Sequence, residues 1–138
     1  MIHCPPSTQR DRIVIIGAGF GGFQAAQSLA GAAADVLLID RNNYHTFIPL
    51  LYQVATAQLE PSFVAYPIRT KLRKMPNVRF LQAEVKRVDF SHKLIDLGDT
   101  LIPYDYLVVA TGAAFHDYGV PGVAAHAFTL QSLRNALA

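Results

Sequence analysis

Four of the nine glycines in this chain fall between positions 17 and 22, in the run Gly17-Ala18-Gly19-Phe20-Gly21-Gly22. The run follows the apolar, β-branched segment from Arg12 to Ile16, which reads as a buried parallel strand. After it, Phe23, Ala26 and Ala30 recur at helical spacing up to Gly31, and the segment Asp35 to Asp40 reads as a second apolar strand. Strand, glycine turn, helix and strand make a β–α–β unit, whose crossover is right-handed almost without exception. Few folds place so many glycines at that junction, so an α/β domain with a parallel sheet is predicted.

Gly17, Gly19 and Gly22 match the pattern G-x-G-x-x-G in the strand-to-helix context that it requires. Gly17 permits a tight turn out of the strand, Gly19 lets a pyrophosphate approach the backbone, and Gly22 lets the helix pack closely on the strand. The phosphate charge then faces free N–H groups at the positive end of the helix. Asp40, at the end of the second strand, is placed to accept hydrogen bonds from ribose hydroxyls. Its negative charge disfavours a 2′-phosphate there, although Arg41 follows directly. The motif by itself leaves NAD and FAD open, and a glycine turn without any ligand is the competing reading.

Composition narrows the class. With 138 residues, 51% hydrophobic and 16% charged, the chain fits one domain and not a disordered segment. Its one cysteine, Cys4, cannot make an internal disulfide, a C-x-x-C redox pair or a zinc site. Between Ile13 and Ala34 no residue carries a formal charge, but the glycines and Gln24, Gln27 and Ser28 argue against a membrane helix. The first ten residues lack the apolar core of a secretory signal, so a cytoplasmic location is the expectation. A net charge of +2 does not suggest nucleic acid. The basic residues Arg69, Lys71, Arg73, Lys74, Arg79, Lys86, Arg87 and Lys93 read as a solvated face. The scattered His3, His92, His116 and His126 lack metal-ligand spacing.

Elsewhere, residues 41–61 read as a long irregular stretch with a helix over Leu50 to Ala57. A further helix is predicted from Ser62, as N-cap, to Lys74, weakened by Pro67. Val78 to Phe90, Lys93 to Leu97 and Thr100 to Tyr104 read as strands, and Tyr106 to Ala110 as a core strand running into Thr111-Gly112. Gln131 to Ala138 begins a helix. The resulting division is a flexible tail over 1–11, a domain over 12–130 and the start of a helix over 131–138.

The segments RIVIIGAGFGGFQAAQSLA, LIDRNNYHTFIPLLYQVATAQLEP, Ala83-Glu84-Val85 and IPYDYLVVATGA together resemble the type II NADH:quinone oxidoreductases. The second segment is the specific one; the glycine motif and Ala110-Thr111-Gly112 are common among flavoprotein reductases. The resemblance implies a Rossmann-like FAD-binding domain, a parallel sheet with a β-meander inserted over 78–104, incomplete at its C-terminal end. It implies that Gly17, Ala18, Gly19, Phe20, Gly21 and Gly22 hold the FAD pyrophosphate. Asp40 and Arg41 would hold the adenosine ribose and adenine side. Val85 would meet adenine through its backbone, and Thr111 and Gly112 would form a second turn on the flavin side. His45 and Thr46 fall in the loop expected near the isoalloxazine, with a flavin contact and a local bond equally open.

Members of that family continue into a second glycine-rich unit that binds NADH, then into segments that complete the quinone site and membrane contact. No further G-x-G-x-x-G follows Gly22 here. The expectation is therefore a flavin-binding first part of a larger enzyme, with no catalytic residue and no metal, and with low NADH:quinone activity or low solubility alone. Another flavoprotein of this architecture (a sulfide:quinone or ferredoxin reductase) and a non-catalytic dinucleotide-binding module are the alternatives.

Overall fold

Alternation along two apolar strands decides the layering. In the computed structural model, which describes residues 10–138, β1 (Asp11–Ile16) runs parallel to β2 (Ala34–Asp40), with Ile15 opposite Leu38 and Ile16 opposite Ile39. Successive side chains of a strand point to opposite faces. Ile15, Val36 and Leu38 therefore enter one core with Phe23 and Ala26 of α1 (Phe20–Ser28), while Val14, Ile16 and Ile39 enter another. The uncharged stretch from Ile13 to Ala34 is thus strand, turn and helix, and no helix among the described residues is long and apolar enough to cross a membrane.

Residues 41–61 are less irregular than their composition suggests. Tyr44–Thr46 (β3) pairs antiparallel with Ala65–Pro67 (β4), setting His45 opposite Tyr66. A 3₁₀ turn over Ile48–Leu50 leads into α2 (Leu51–Ala55), shorter than the predicted 50–57 helix. The helix predicted from Ser62 to Lys74 is broken in the middle. Pro61–Phe63 is a 3₁₀ turn, and only Ile68–Leu72 (α3) is α-helical, with Pro67 and not Ser62 at its N-cap. Proline cannot donate in a helix and pushes the preceding residue toward extended backbone, so the chain pairs with β3 first and turns helical only after Pro67.

The strand predicted from Val78 to Phe90 is two strands in two sheets. Val78–Gln82 (β5) extends the core sheet as a parallel neighbour of β2, and Arg87–Asp89 (β6) opens the meander. The inserted meander is therefore β6, Leu94–Asp96 (β7) and Leu101–Pro103 (β8), and not the whole of 78–104. Its Ile95, with Tyr104 beside it, covers Val14, Ile16 and Ile39. Tyr106–Val109 (β9) returns to the core sheet beside β1, giving the order β5-β2-β1-β9, all parallel. Helices on one face and a meander on the other fit the Rossmann-like α/β class.

After β9 come two short helices, α4 (Val123–His126) and α5 (Leu133–Ala136). Ser132 caps α5 by accepting from the Asn135 N–H, and Ala136 packs with Leu51, Val54 and Val64. β1 begins at Asp11; residues 1–9 of the stretch predicted as a flexible tail, His3 and Cys4 among them, lie outside the described residues.

Candidate functional site

The glycine turn sits where β1 hands over to α1, at the C-terminal edge of the parallel sheet. Binding crevices of open α/β folds form at that edge. The Gly17 N–H donates to the Ile39 carbonyl at 2.8 Å, so the turn stays tied to β2. Gly17 has φ +99°, and a Cβ there would lie 2.3 Å from the Ala110 carbonyl oxygen. At Gly22 an added Cβ would lie 1.8 Å from the Gly17 carbonyl oxygen. Both positions therefore exclude a side chain on steric grounds. Gly19 differs: nothing lies within 4 Å of its hypothetical Cβ, so its missing side chain leaves open space.

Helix α1 begins at that open space. Gly19 is its N-cap without any side-chain cap, and no acidic residue stands in the first turn. The first N–H groups of such a helix have no intrahelical acceptor, and their partial positive charge favours an anion. A phosphate-bearing ligand fits this cradle: free donors, open space over Gly19 and no competing carboxylate in the turn.

Two side chains brace the peptide between the glycines. Asp40 Oδ2 accepts from the Ala18 N–H at 2.7 Å, and its Oδ1 accepts from the Asn42 N–H at 2.8 Å. In a trans peptide the preceding carbonyl points opposite to the N–H. Holding Ala18 by its N–H thus directs the Gly17 carbonyl away from Asp40, and that carbonyl is the group against which Gly22 packs. His45 Nδ1 lies 2.8 Å from the Ala18 carbonyl oxygen, and its ring is buried. The ring thus bonds the backbone of the glycine turn, 27 positions earlier in the chain, and not a group of its own loop.

The remaining predicted residues cluster unevenly. Ala110 donates its N–H to the Ile16 carbonyl at 2.8 Å, and Thr111 Cα lies 3.3 Å from the position of a Cβ on Gly17, so this second turn abuts the first. Gly112 is exposed with φ +77°. Ala83 donates to the Asp40 carbonyl at 3.0 Å, which carries the Ala83–Val85 segment past the end of β2. Val85 itself is half-buried and packs on the meander-side core. Arg41 is exposed just beyond Asp40, and Phe20 is exposed at the start of α1. Three of the basic residues have partners: Lys86 pairs with Glu84, Lys71 lies over Phe23 and Tyr66, and Arg69 over Phe80. Among the described residues no group of three His, Cys, Asp or Glu side chains could hold a metal.

The family described as pyridine nucleotide-disulphide oxidoreductase matches residues 11–138. The chain belongs to that family. A type II NADH:quinone oxidoreductase of Mycobacterium tuberculosis (strain ATCC 25618 / H37Rv) is 42% identical over 137 residues, 96% of this chain and 29% of that protein. The type II NADH:quinone oxidoreductase of Staphylococcus aureus (strain NCTC 8325 / PS 47) is 31% identical over 92% of the chain. Among solved structures, NDH2 from Plasmodium falciparum in complex with NADH superposes with a TM-score of 0.82 at 30% identity, over 94% of this chain and 28% of that one. The sulfide:quinone oxidoreductase of Aquifex aeolicus reaches 0.84 at 25% identity, over 92% and 30%. The resemblance to type II NADH:quinone oxidoreductases thus holds in sequence and in fold. The chain spans about three-tenths of the length of these oxidoreductase relatives.

Proposed function

We propose that this chain is the FAD-binding part of an NADH:quinone oxidoreductase. The observation that carries the reading is the uncapped start of α1 beside the open space at Gly19, braced through Ala18. In this reading the backbone of Gly17, Ala18, Gly19, Phe20, Gly21 and Gly22 holds the pyrophosphate. Asp40 and Arg41 hold the adenosine ribose and adenine side, the Val85 backbone meets the adenine, and Thr111 and Gly112 flank the flavin side. The bound group supplies two-electron exchange with NADH and a quinone.

The chain's own residues bind and orient. Asp40 uses one oxygen on Ala18 and one on Asn42, and a carboxylate has lone pairs left for ribose hydroxyls. Its charge repels an added 2′-phosphate. We assign residues 12–130 to this domain and 131–138 to the helix leading out of it, and place the NADH and quinone sites in the remainder of the family's length. No acid–base residue is assigned. The identity to the type II NADH:quinone oxidoreductase of Mycobacterium tuberculosis (42%) and to NDH2 (30%) exceeds that to the sulfide:quinone oxidoreductase (25%), which supports NADH as the electron donor of the whole protein.

The test is titration of the purified apoprotein with FAD and with FMN, read by quenching of flavin fluorescence and by thermal shift. FAD should bind and raise the melting temperature, while FMN, which lacks the adenosine and pyrophosphate, should bind far more weakly. Absence of any effect of FAD overturns the reading.

A further inference from the structure

Among the described residues His45 is the buried polar one, 27 positions after the backbone atom it touches. It comes from β3, whose pairing with β4 presents the ring to the glycine turn. The ring is also held by the helix that starts there. Phe20 meets it edge-on at 5.3 Å between centroids, and Phe23 lies at 5.6 Å with a tilt of 41°.

The Ala18 carbonyl is an acceptor only, so Nδ1 must carry the hydrogen and Nε2 is left bare in the neutral ring. The Ala18–Gly19 peptide is planar and trans, and its N–H points opposite to its carbonyl. A carbonyl drawn toward His45 therefore turns the Gly19 N–H away from His45. Asp40 secures the other side of the same residue through the Ala18 N–H. Both peptides flanking Ala18 are thus fixed before any ligand arrives. Preformed donors bind more tightly than donors that must be ordered on binding.

Resting on the FAD reading above, we propose that His45 is a positioning residue: its Nδ1–H aims the Gly19 N–H at the pyrophosphate of the bound dinucleotide. It touches no ligand itself and acts through one backbone peptide. A leucine at this position removes the bond and leaves the Ala18 carbonyl without its partner. An asparagine carries an amide N–H close to the place of Nδ1.

The test combines two variants and the wild type with one spectroscopic measurement. FAD affinity is measured for the wild type, His45→Leu and His45→Asn, and ¹⁵N NMR of the wild type reads the ring tautomer and the Gly19 amide. His45→Leu should weaken FAD binding about tenfold, the worth of one hydrogen bond. His45→Asn should return it to near the wild-type value, a recovery that mere filling of space by leucine does not give. The neutral ring should be protonated at Nδ1, and the Gly19 amide should shift on addition of FAD. Equal FAD affinity in wild type and His45→Leu overturns the role of His45 and leaves the FAD reading intact. Should His45→Leu fail to fold, the wild-type spectrum decides: a ring protonated at Nε2, or a Gly19 amide unmoved by FAD, overturns it. A wild type that binds no FAD overturns both.

Discussion

The turns that end β1 and β9 lie against each other, yet they are held in different ways. The first, Gly17 to Gly22, is gripped from every side. Ile39 accepts from Gly17, Asp40 and His45 take both polar groups of Ala18, and two of its glycines have no space for a Cβ. The second, Ala110 to Gly112, is anchored only at its start, through the Ala110 N–H on Ile16. Among the described residues neither Thr111 nor Gly112 takes part in a hydrogen bond, and both are exposed. In the proposed reading the contrast separates two demands: a phosphate cradle needs donors aimed in advance, whereas a turn that only lets a ligand pass needs little beyond room.

Substitutions can break that comparison in order of size. Gly22→Ala should be the most damaging, because the 1.8 Å approach involves backbone oxygen that no side chain can move to relieve. Helix α1 must lift from β1, at a cost of about 4 kcal/mol or more, a large part of a typical domain's stability. Loss of the cooperative thermal transition checks this. Gly17→Ala combines a 2.3 Å clash with the Ala110 carbonyl and a φ of +99°, and should cost about 3 kcal/mol in chemical denaturation. At Gly112 a Cβ meets nothing within 4 Å, so only the left-handed backbone opposes a side chain. Gly112→Ala should cost about 1 kcal/mol, a melting shift of roughly 3–5 °C. A larger loss at Gly112 than at Gly17 would invert the comparison.

A smaller effect is expected far from both turns, in the meander. The Asp89 carboxylate accepts from the His92 backbone N–H, bonds the His92 ring and accepts from the Ser91 N–H, which together hold its pKa below the ordinary aspartate value. A depressed carboxylate pKa contributes stability above its unfolded value, and loses it as pH falls through the folded value. Acidification below about pH 4 should therefore loosen this turn slightly. Protection factors of the Ser91 and His92 amides, corrected for intrinsic exchange, should fall there, and Asp89→Asn should flatten the change.

How far the chain could be read without coordinates follows the same division. The strand, glycines, helix and second strand were legible because each is local and each residue type is forced by packing or turn geometry. Asp40 was legible as a charge at a strand end, though not as the brace of Ala18. The β3–β4 pair was not, since nothing local in Tyr44–Thr46 says that Ala65–Pro67 will lie beside it. The same holds for β5, whose apolar run suits either the core sheet or the meander until β2 selects it. His45 carried no usable sign, since its burial between two half-buried neighbours and its partner on another element appear only in the structure.

The central claim is that the open space at Gly19 exists for a phosphate and not for the fold. Gly19 has φ −70°, ψ −163°, a conformation open to any residue, and its Cβ would meet nothing. The direct test is FAD affinity of Gly19→Val against wild type, with the melting temperature of both apoproteins measured alongside. An unchanged apo melting temperature with FAD binding weakened at least about tenfold, one hydrogen bond's worth or more, is the predicted result. Unchanged FAD affinity in Gly19→Val would contradict it.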